Sequence, residues 1–371
     1  MYDVAIIGGG LAGLVNSILL RRHGYHVILF EEKKYPFHRV CGEYISNEVI
    51  PFLKKHDIFP EDFAPTEITQ FHLTSSRGKS LKMKLDLGGF GISRYVFDEW
   101  LADKARSEGV EVHEGERVTG VDFEEDQFYL RSKHATYQAR VTIGSFGKRT
   151  RLDKDLNRNF IRKSSPYIGV KYHIRTEEVP GDAIELHNFN RGYCGVSRIN
   201  DELYNLCYLS HRDNLRTNGD IPTMEREVVW ENPHLKRIMT GSDFVFEKPF
   251  VINEVSFEPK EPVFDHVLMS GDSAGMITPL CGNGMAMAIH SAKILSEEVH
   301  LFLKGKIHRS QLEIRYADKW KKTFAIRHWA GRKIQHLFGS SNSSGLAVGF
   351  GNVFPPFARY LMKQTHGSPF S

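Results

Sequence analysis

Three glycines and an acid at fixed spacing are the residues of this chain best suited to chemistry. Gly8, Gly10 and Gly13 read Gly-x-Gly-x-x-Gly, and Glu31 stands eighteen residues past the last of them. The first glycine permits a tight turn and the second lets a diphosphate approach the backbone. The third lets a helix pack closely on a strand. Glu31 can accept hydrogen bonds from a ribose diol, and an acid there favours an unphosphorylated ribose, hence FAD or NAD over NADP. A second glycine cluster lies far along the chain. Gly271-Asp272-Ser273-Ala274-Gly275 is followed by Pro279-Leu280-Cys281-Gly282-Asn283-Gly284. Asp272 can accept from a polyol, and a helix starting at Gly284 can face developing negative charge.

Elements of the right kind surround both clusters. Val4 to Ile7 is a β-branched apolar run of a strand buried on both faces, and Leu11 to about Arg22 has helical patterning. Gly24 stops that helix, and Val27 to Phe30 forms the next strand. Val267 to Ser270 is a buried strand before the second cluster, with helices to about Leu303 and over 310–338 after it. Between them, residues 68–75 and 79–85 read as a hairpin around Ser76-Arg77-Gly78. Alternation predicts antiparallel strands over 167–175, 182–188, 192–199 and 203–209, a helix over 222–240 and extended chain from Val245 to Val255. A two-residue turn at Asn200-Asp201 would set Cys194 opposite Cys207 across the ladder, as two small apolar neighbours.

The chain has 371 residues, 41% hydrophobic and 25% charged, enough for two domains with sizeable cores and unlike a disordered or collagenous sequence. A formal net charge of +4 makes no case for nucleic acid. The four cysteines lack metal-ligand spacing, so we expect no metal site and a reducing, cytoplasmic compartment. The apolar run from Val4 to Leu20 follows Asp3 and is broken by four glycines, unlike an export signal or spanning helix, and the chain reads as soluble.

The two glycine clusters together resemble the FAD-dependent geranylgeranyl reductase family, a branch of the superfamily typified by para-hydroxybenzoate hydroxylase. Arg39-Val40-Cys41-Gly42 is similar to that family's basic-x-Cys-Gly loop, and Arg94-x-x-Phe97-Asp98-x-x-Leu101 to its arginine-led helix. The resemblance spans about residues 1–305. It implies an α/β fold: a discontinuous, Rossmann-like FAD-binding domain (1–66, 90–164 and 262–305) and an inserted mixed β-sheet substrate domain (67–89 and 165–261). Residues 306–371 would form a helical C-terminal region.

By position, the resemblance implies that Gly8, Gly10, Ala12 and Gly13 line the FAD pyrophosphate and that Glu31 binds the adenosine ribose. Arg39 and Arg94 would contact the phosphates or ribityl chain, Val118 the adenine, and Asp272 the ribityl hydroxyls. Pro279 and Gly282 to Gly284 would lie beside the isoalloxazine. Two departures stand out. Phe146, in Ile143-Gly144-Ser145-Phe146-Gly147, replaces the superfamily's aspartate, which argues against direct reduction by NADH or NADPH, the expected class of donor. Tyr193-Cys194-Gly195-Val196-Ser197-Arg198 lacks the Trp and Pro of the reductases' substrate-domain signature. The Trp-x-Trp-x-Ile-Pro of flavin halogenases is absent from the sequence.

FAD would carry the redox step while the protein places a hydrophobic small-molecule substrate. Cys41 and Glu43 are candidate proton donors or pocket residues; the plain reading is a packed thiol and a helix-flanking carboxylate. Cys281, Tyr193 and Ser197 are further pocket candidates. The leading expectation is a monooxygenase hydroxylating an aromatic or polyketide-like molecule. Alternatives are a reductase of isoprenoid or other isolated double bonds and, through the related fold of Rab escort proteins, a non-enzymatic binder of lipophilic ligands.

Basic side chains cluster in Lys148–Lys163, seven against two acidic, and in Lys319–His336, six against none. On a helical wheel Trp320, Phe324, Ile326, Ala330, Ile334, Leu337 and Phe338 share a stripe, with Trp329 on the charged side. The plain reading is a helix docked on the core; the sharper one is contact with a membrane surface or an acidic carrier protein.

Overall fold

The computed structural model describes residues 1–278, 282–337, 341–363 and 366–371. The chain opens with β1 (Tyr2–Ile7), α1 (Leu11–Arg22) and β2 (Val27–Glu31). Val4 to Ile7 and all of β2 are buried, as strands covered on both faces must be. Next come β3 (Tyr44–Ser46), α2 (Ile50–Lys55), β4 (Thr66–Thr74), β5 (Ser80–Gly91) and α3 (Arg94–Ser107). Ser93 caps α3 by accepting from the Tyr95 N–H. β6 (Glu111–Glu114), β7 (Val118–Glu124), β8 (Gln127–Ser132), β9 (Thr136–Gly144) and α4 (Arg151–Asp155) complete the first part.

The central segment contributes β10 (Tyr167–Arg175), β11 (Ala183–Phe189), β12 (Gly192–Arg198) and β13 (Tyr204–His211). It continues with α5 (Arg212–Asn218), α6 (Ile221–Glu227), α7 (Pro233–Thr240), β14 (Asp243–Phe244) and β15 (Phe250–Ile252). β16 (Val263–Phe264), β17 (Val267–Met269), α8 (Gly284–Leu303), α9 (Arg309–Leu337), α10 (Ser341–Val353) and α11 (Pro355–Lys363) follow.

Among the described residues the strands form two sheets. The first runs β16-β17-β9-β1-β2-β6, with β1 parallel to β2 and β9, and the β7–β8 hairpin joined through β9. The second runs β14-β10-β13-β12-β11-β4-β5-β3, with β15 on β10. This is the α/β, two-sheet architecture with a helical C-terminal region that the sequence implies. Residues 44–46, grouped by sequence with the first unit, form a short strand that pairs with β5 in the second sheet.

The second sheet has two unlike faces. Val170, Tyr172, Cys194, Val196, Leu206 and Tyr208 pack against Met224, Leu235 and Ile238 of the helices behind it. The alternate residues, among them Phe71, Leu73, Ile184, Leu186, Tyr193, Ser197, Cys207 and Leu209, face a cavity between the two sheets.

Three local expectations are corrected. Residues 222–240 are not one helix, because Pro233 lacks an N–H and Asn232 caps a new helix by accepting from the His234 and Leu235 N–H groups. Cys194 lies opposite Tyr208 and Cys207 opposite Gly195. Asn200 Oδ1 accepts from the N–H groups of Glu202 and Leu203, so the turn closes Ile199 onto Leu203. That one-residue slip puts the two cysteines on opposite faces, and both are free. On α9 the buried stripe is Leu312, Tyr316, Trp320, Phe324 and Ala330, whereas Ile326 is exposed. The side chains of Ile334 and Leu337, and Phe338 altogether, lie outside the described residues.

Candidate active site

The first glycine turn is held by contacts that a side chain would destroy. Gly8 has φ +102°, and a Cβ there would lie 2.4 Å from the Ser145 carbonyl oxygen. Ser145 Oγ donates to the carbonyls of Ile7 and Gly8, locking the loop after β9 onto the turn. Gly10 is extended at the N-terminus of α1, and the Arg94 guanidinium lies 3.6 Å from where its Cβ would be. Gly13 stands apart. It does not reach the cavity, because its Cβ position is 2.0 Å from the Gly8 carbonyl oxygen; its role is to let α1 pack on the turn.

Beneath the turn lies a chain of four charged groups. Glu31, buried, accepts from the Gly9 N–H at 3.0 Å and from Arg39 at 2.9 Å. Arg39 also pairs with Asp98 at 2.9 Å, and Asp98 takes both the Nε and Nη2 of Arg94, at 2.5 and 2.7 Å. Burial disfavours the charged arginines, but Asp98 and Glu31 outweigh it and hold Arg39 above its usual pKa.

The cavity has a volume of about 1560 Å³. That exceeds the roughly 300–1,000 Å³ of an ordinary ligand pocket and leaves room for a dinucleotide and a second molecule. One half is lined by Gly8, Gly10, Ala12, Glu31, Arg39, Arg94, Val118, Asp272, Gly282 and Gly284. The N-termini of α1 and α8 therefore both open onto it, and the first N–H groups of a helix are suited to an anion. The Asp272 carboxylate makes no hydrogen bond among the described residues, while its carbonyl accepts from buried Lys260 Nζ at 2.7 Å. Burial lowers the Lys260 pKa to about 8. Pro279 and Cys281 lie outside the described residues.

These residues fit FAD: a turn with no room for side chains, two helix starts, an acid at the adenosine end and a second acid toward the opposite end. Glu31 would orient the ribose, Arg94 would face the pyrophosphate, and Val118 would flank the adenine. Asp272 would hold the ribityl hydroxyls, and Gly282 to Gly284 would face the isoalloxazine. Phe146, half-buried, lines the cavity where the superfamily places its aspartate.

The second half is apolar, with Phe71, Leu73, Leu81, Met83, Ile184, Leu186, Tyr193 and Leu209 on its walls. The loop 39–43 crosses between the halves and carries Cys41 on the cavity wall. Four consecutive carbonyls of this loop each accept a side-chain hydrogen bond. Lys171 holds Arg39 O at 3.1 Å, Lys148 holds Val40 O at 3.0 Å, Asn205 holds Cys41 O at 3.1 Å, and Ser197 reaches Gly42 O at 3.4 Å.

Glu43 ends the loop at φ 52°, fully buried. It pairs with Lys171 at 2.6 Å and His173 at 2.7 Å, and it accepts from the Arg94 N–H at 2.8 Å. Burial pushes its pKa up, but Lys171 and His173 prevail and bring it down to about 2. Glu43 is thus a fixed anion that ties the loop to β10 and α3. It does not suit the proton-donor role considered from sequence. Cys207 also lines the cavity, and burial pushes its thiol up to about 12.

Lys171, His173, Asn205, Asp98, Lys148 and Lys260 are absent from the sequence-derived candidates. On β10, polar residues alternate with apolar ones, the usual pattern of a solvated face. The missing signal was a second layer covering that face.

A family model described as an FAD binding domain matches residues 1–321. The chain belongs to this FAD-binding family. The chain is an FAD-dependent oxidoreductase. It is 24% identical over 356 residues to conditioned medium factor receptor 1 of Dictyostelium discoideum, covering 87% of this chain and 68% of that one. It is 22% identical over 349 residues to a digeranylgeranylglycerophospholipid reductase of Methanosarcina acetivorans, covering 87% and 81%. A solved flavin-dependent brominase superposes with a TM-score of 0.81 at 18% identity, covering 100% of this chain and 94% of the other. At that identity the likeness shows the fold alone.

Proposed function

We propose that this family member reduces isolated carbon–carbon double bonds in a long, aliphatic, isoprenoid-like chain. The observation that carries the reading is the second half of the cavity. Its walls are almost wholly aliphatic and aromatic, and it meets the FAD half at Cys41. An aliphatic chain buried there gains about 25 cal/mol per Å² of surface removed from water, with no polar handle needed along it. The reductase relative from Methanosarcina, matching over most of both chains, supports the same choice.

FAD, when bound and reduced, supplies a hydride to one carbon of the double bond. The rest falls to the protein. Leu73, Leu186 and Leu209 align the chain and exclude water. Cys41 Sγ, fixed by the four carbonyl contacts of its loop, is the group we assign to deliver a proton to the second carbon, and solvent replaces that proton.

Hydroxylation is the second reading, and the apolar lining of the cavity favours it too, because oxygenating flavins also need water kept out. Anaerobic reoxidation separates the two. Dithionite-reduced protein mixed with a geranylgeranyl lipid without oxygen is expected to regain oxidised-flavin absorbance. A flavin that stays reduced until oxygen enters, then yields a hydroxylated lipid, would overturn the reductase reading.

A further inference from the structure

The two basic runs behave differently in the fold. Lys148–Lys163 is mostly engaged within the protein: Lys148 holds the Cys41 loop, Arg149 pairs with Glu254, Arg158 is buried against Asp153 and Lys163 pairs with Glu258, while Arg151, Lys154 and Arg162 are exposed with no ion pair among the described residues. The C-terminal run is not. Residues 319–371 contain eight Lys and Arg and not one Asp or Glu. Lys319 pairs with Glu298 and Arg327 with Glu48. Lys321, Lys322, Arg332, Lys333, Arg359 and Lys363 have no ion pair among the described residues.

Large apolar side chains are exposed among those charges. Ile326, Trp329, Leu346, Phe350, Val353, Phe354 and Tyr360 are each more than half exposed. Single exposed apolar residues need no explanation, but so many on three successive helices do. On α9, Lys322, Ile326, Trp329 and Lys333 fall at i, i+4, i+7 and i+11, one narrow exposed stripe with an apolar centre and a lysine at each end. On α10, Leu346, Phe350 and Val353 share a face, and Leu346 and Phe350 also line the cavity. The patch therefore runs to the mouth of the proposed substrate chamber.

We infer that the exposed faces of α9, α10 and α11 dock on an anionic lipid bilayer, from which a chain enters the cavity beside Leu346 and Phe350. Basic residues flanking a Trp and branched aliphatics are what a helix lying in the bilayer interface requires, and the aromatics suit the headgroup boundary. No described helix is long and apolar enough to cross a membrane, so the contact is peripheral. An acidic protein would satisfy the lysines and leave the apolar centres unexplained. The inference deepens the proposed function by naming where the chain comes from, but its readout is binding, not turnover.

The test is co-sedimentation of the full-length, FAD-loaded protein with phosphatidylcholine vesicles, with and without phosphatidylglycerol. We expect binding to the anionic vesicles that weakens as salt rises. Each basic residue at such a surface is worth about 1 kcal/mol, so Lys322→Glu with Lys333→Glu should cost at least about tenfold in vesicle affinity. Ile326→Asp with Trp329→Asp should do the same by removing the apolar anchor. All four positions are exposed, and retained flavin absorbance reports the fold. Equal binding to neutral vesicles, or anionic binding unchanged in both variants, overturns the inference. Capture by an acidic acyl carrier protein with no vesicle binding overturns it as well. Vesicle binding without lipid reduction leaves the inference standing and removes the reductase reading.

Discussion

Replacing Lys171 with Met should loosen the loop that carries Cys41. Both members of the Lys171–Glu43 pair are shielded from solvent, 2.6 Å apart, so losing the ammonium leaves a buried carboxylate with His173 as its remaining ionisable partner. A Glu43 pKa carried from 4.5 down to about 2 corresponds to about 3 kcal/mol of stabilisation, at about 1.4 kcal/mol per unit. Breaking one side of a buried pair costs a similar 3–5 kcal/mol, roughly. The folded pKa lies below the unfolded one, so as pH falls the unfolded chain binds this proton first. The contribution is complete above about pH 4.5 and is lost on the way down to about pH 2. Urea unfolding followed by tryptophan fluorescence at neutral pH should show Lys171→Met destabilised by about 3 kcal/mol, and the gap to the parent should narrow as pH falls from about 4.5 toward 2, because the variant has already lost what protonation of Glu43 removes from the parent. Adding Glu43→Gln should restore much of the loss, since the buried charge is then gone. Stability within about 1 kcal/mol of the parent, with an unchanged acid limb, would refute the view that this pair anchors the loop.

Gly13→Ala drives a methyl into the Gly8 carbonyl, so the purified variant should carry little or no flavin; a normally yellow protein would contradict the packing argument. Leu186→Trp fills part of the apolar half of the cavity, and should raise KM for a long chain more than for a short one, as read by initial rates. Cys41→Ser should keep full FAD content yet lower turnover by about 10²-fold or more, the usual weight of a positioned acid. Parent-like rates would remove Cys41 from the proton-donor role.

Much of the fold is legible in the sequence because its signals are local. A β-branched run before Gly8, helical periodicity after it and an acid at the end of the next strand each need only a few adjacent residues. The alternation of β10 to β13 likewise places those strands within a residue or two. What escapes depends on contacts made across the chain. Asn200 capping its own turn moves Cys194 and Cys207 to opposite faces, which no spacing argument reveals. Lys171 and His173 look like a solvated face until loop 39–43 is laid over them. Phe146 illustrates the converse. Its departure from the superfamily pattern is local and legible in the sequence, and the structure sets it on the cavity wall.

The mass of the product tests the central claim most directly. The FAD-loaded protein, given a chemical reductant and a geranylgeranyl lipid, is predicted to return a lipid heavier by two hydrogens for each bond reduced. A product heavier by one oxygen, formed only in air, would contradict the account and return the enzyme to the hydroxylases.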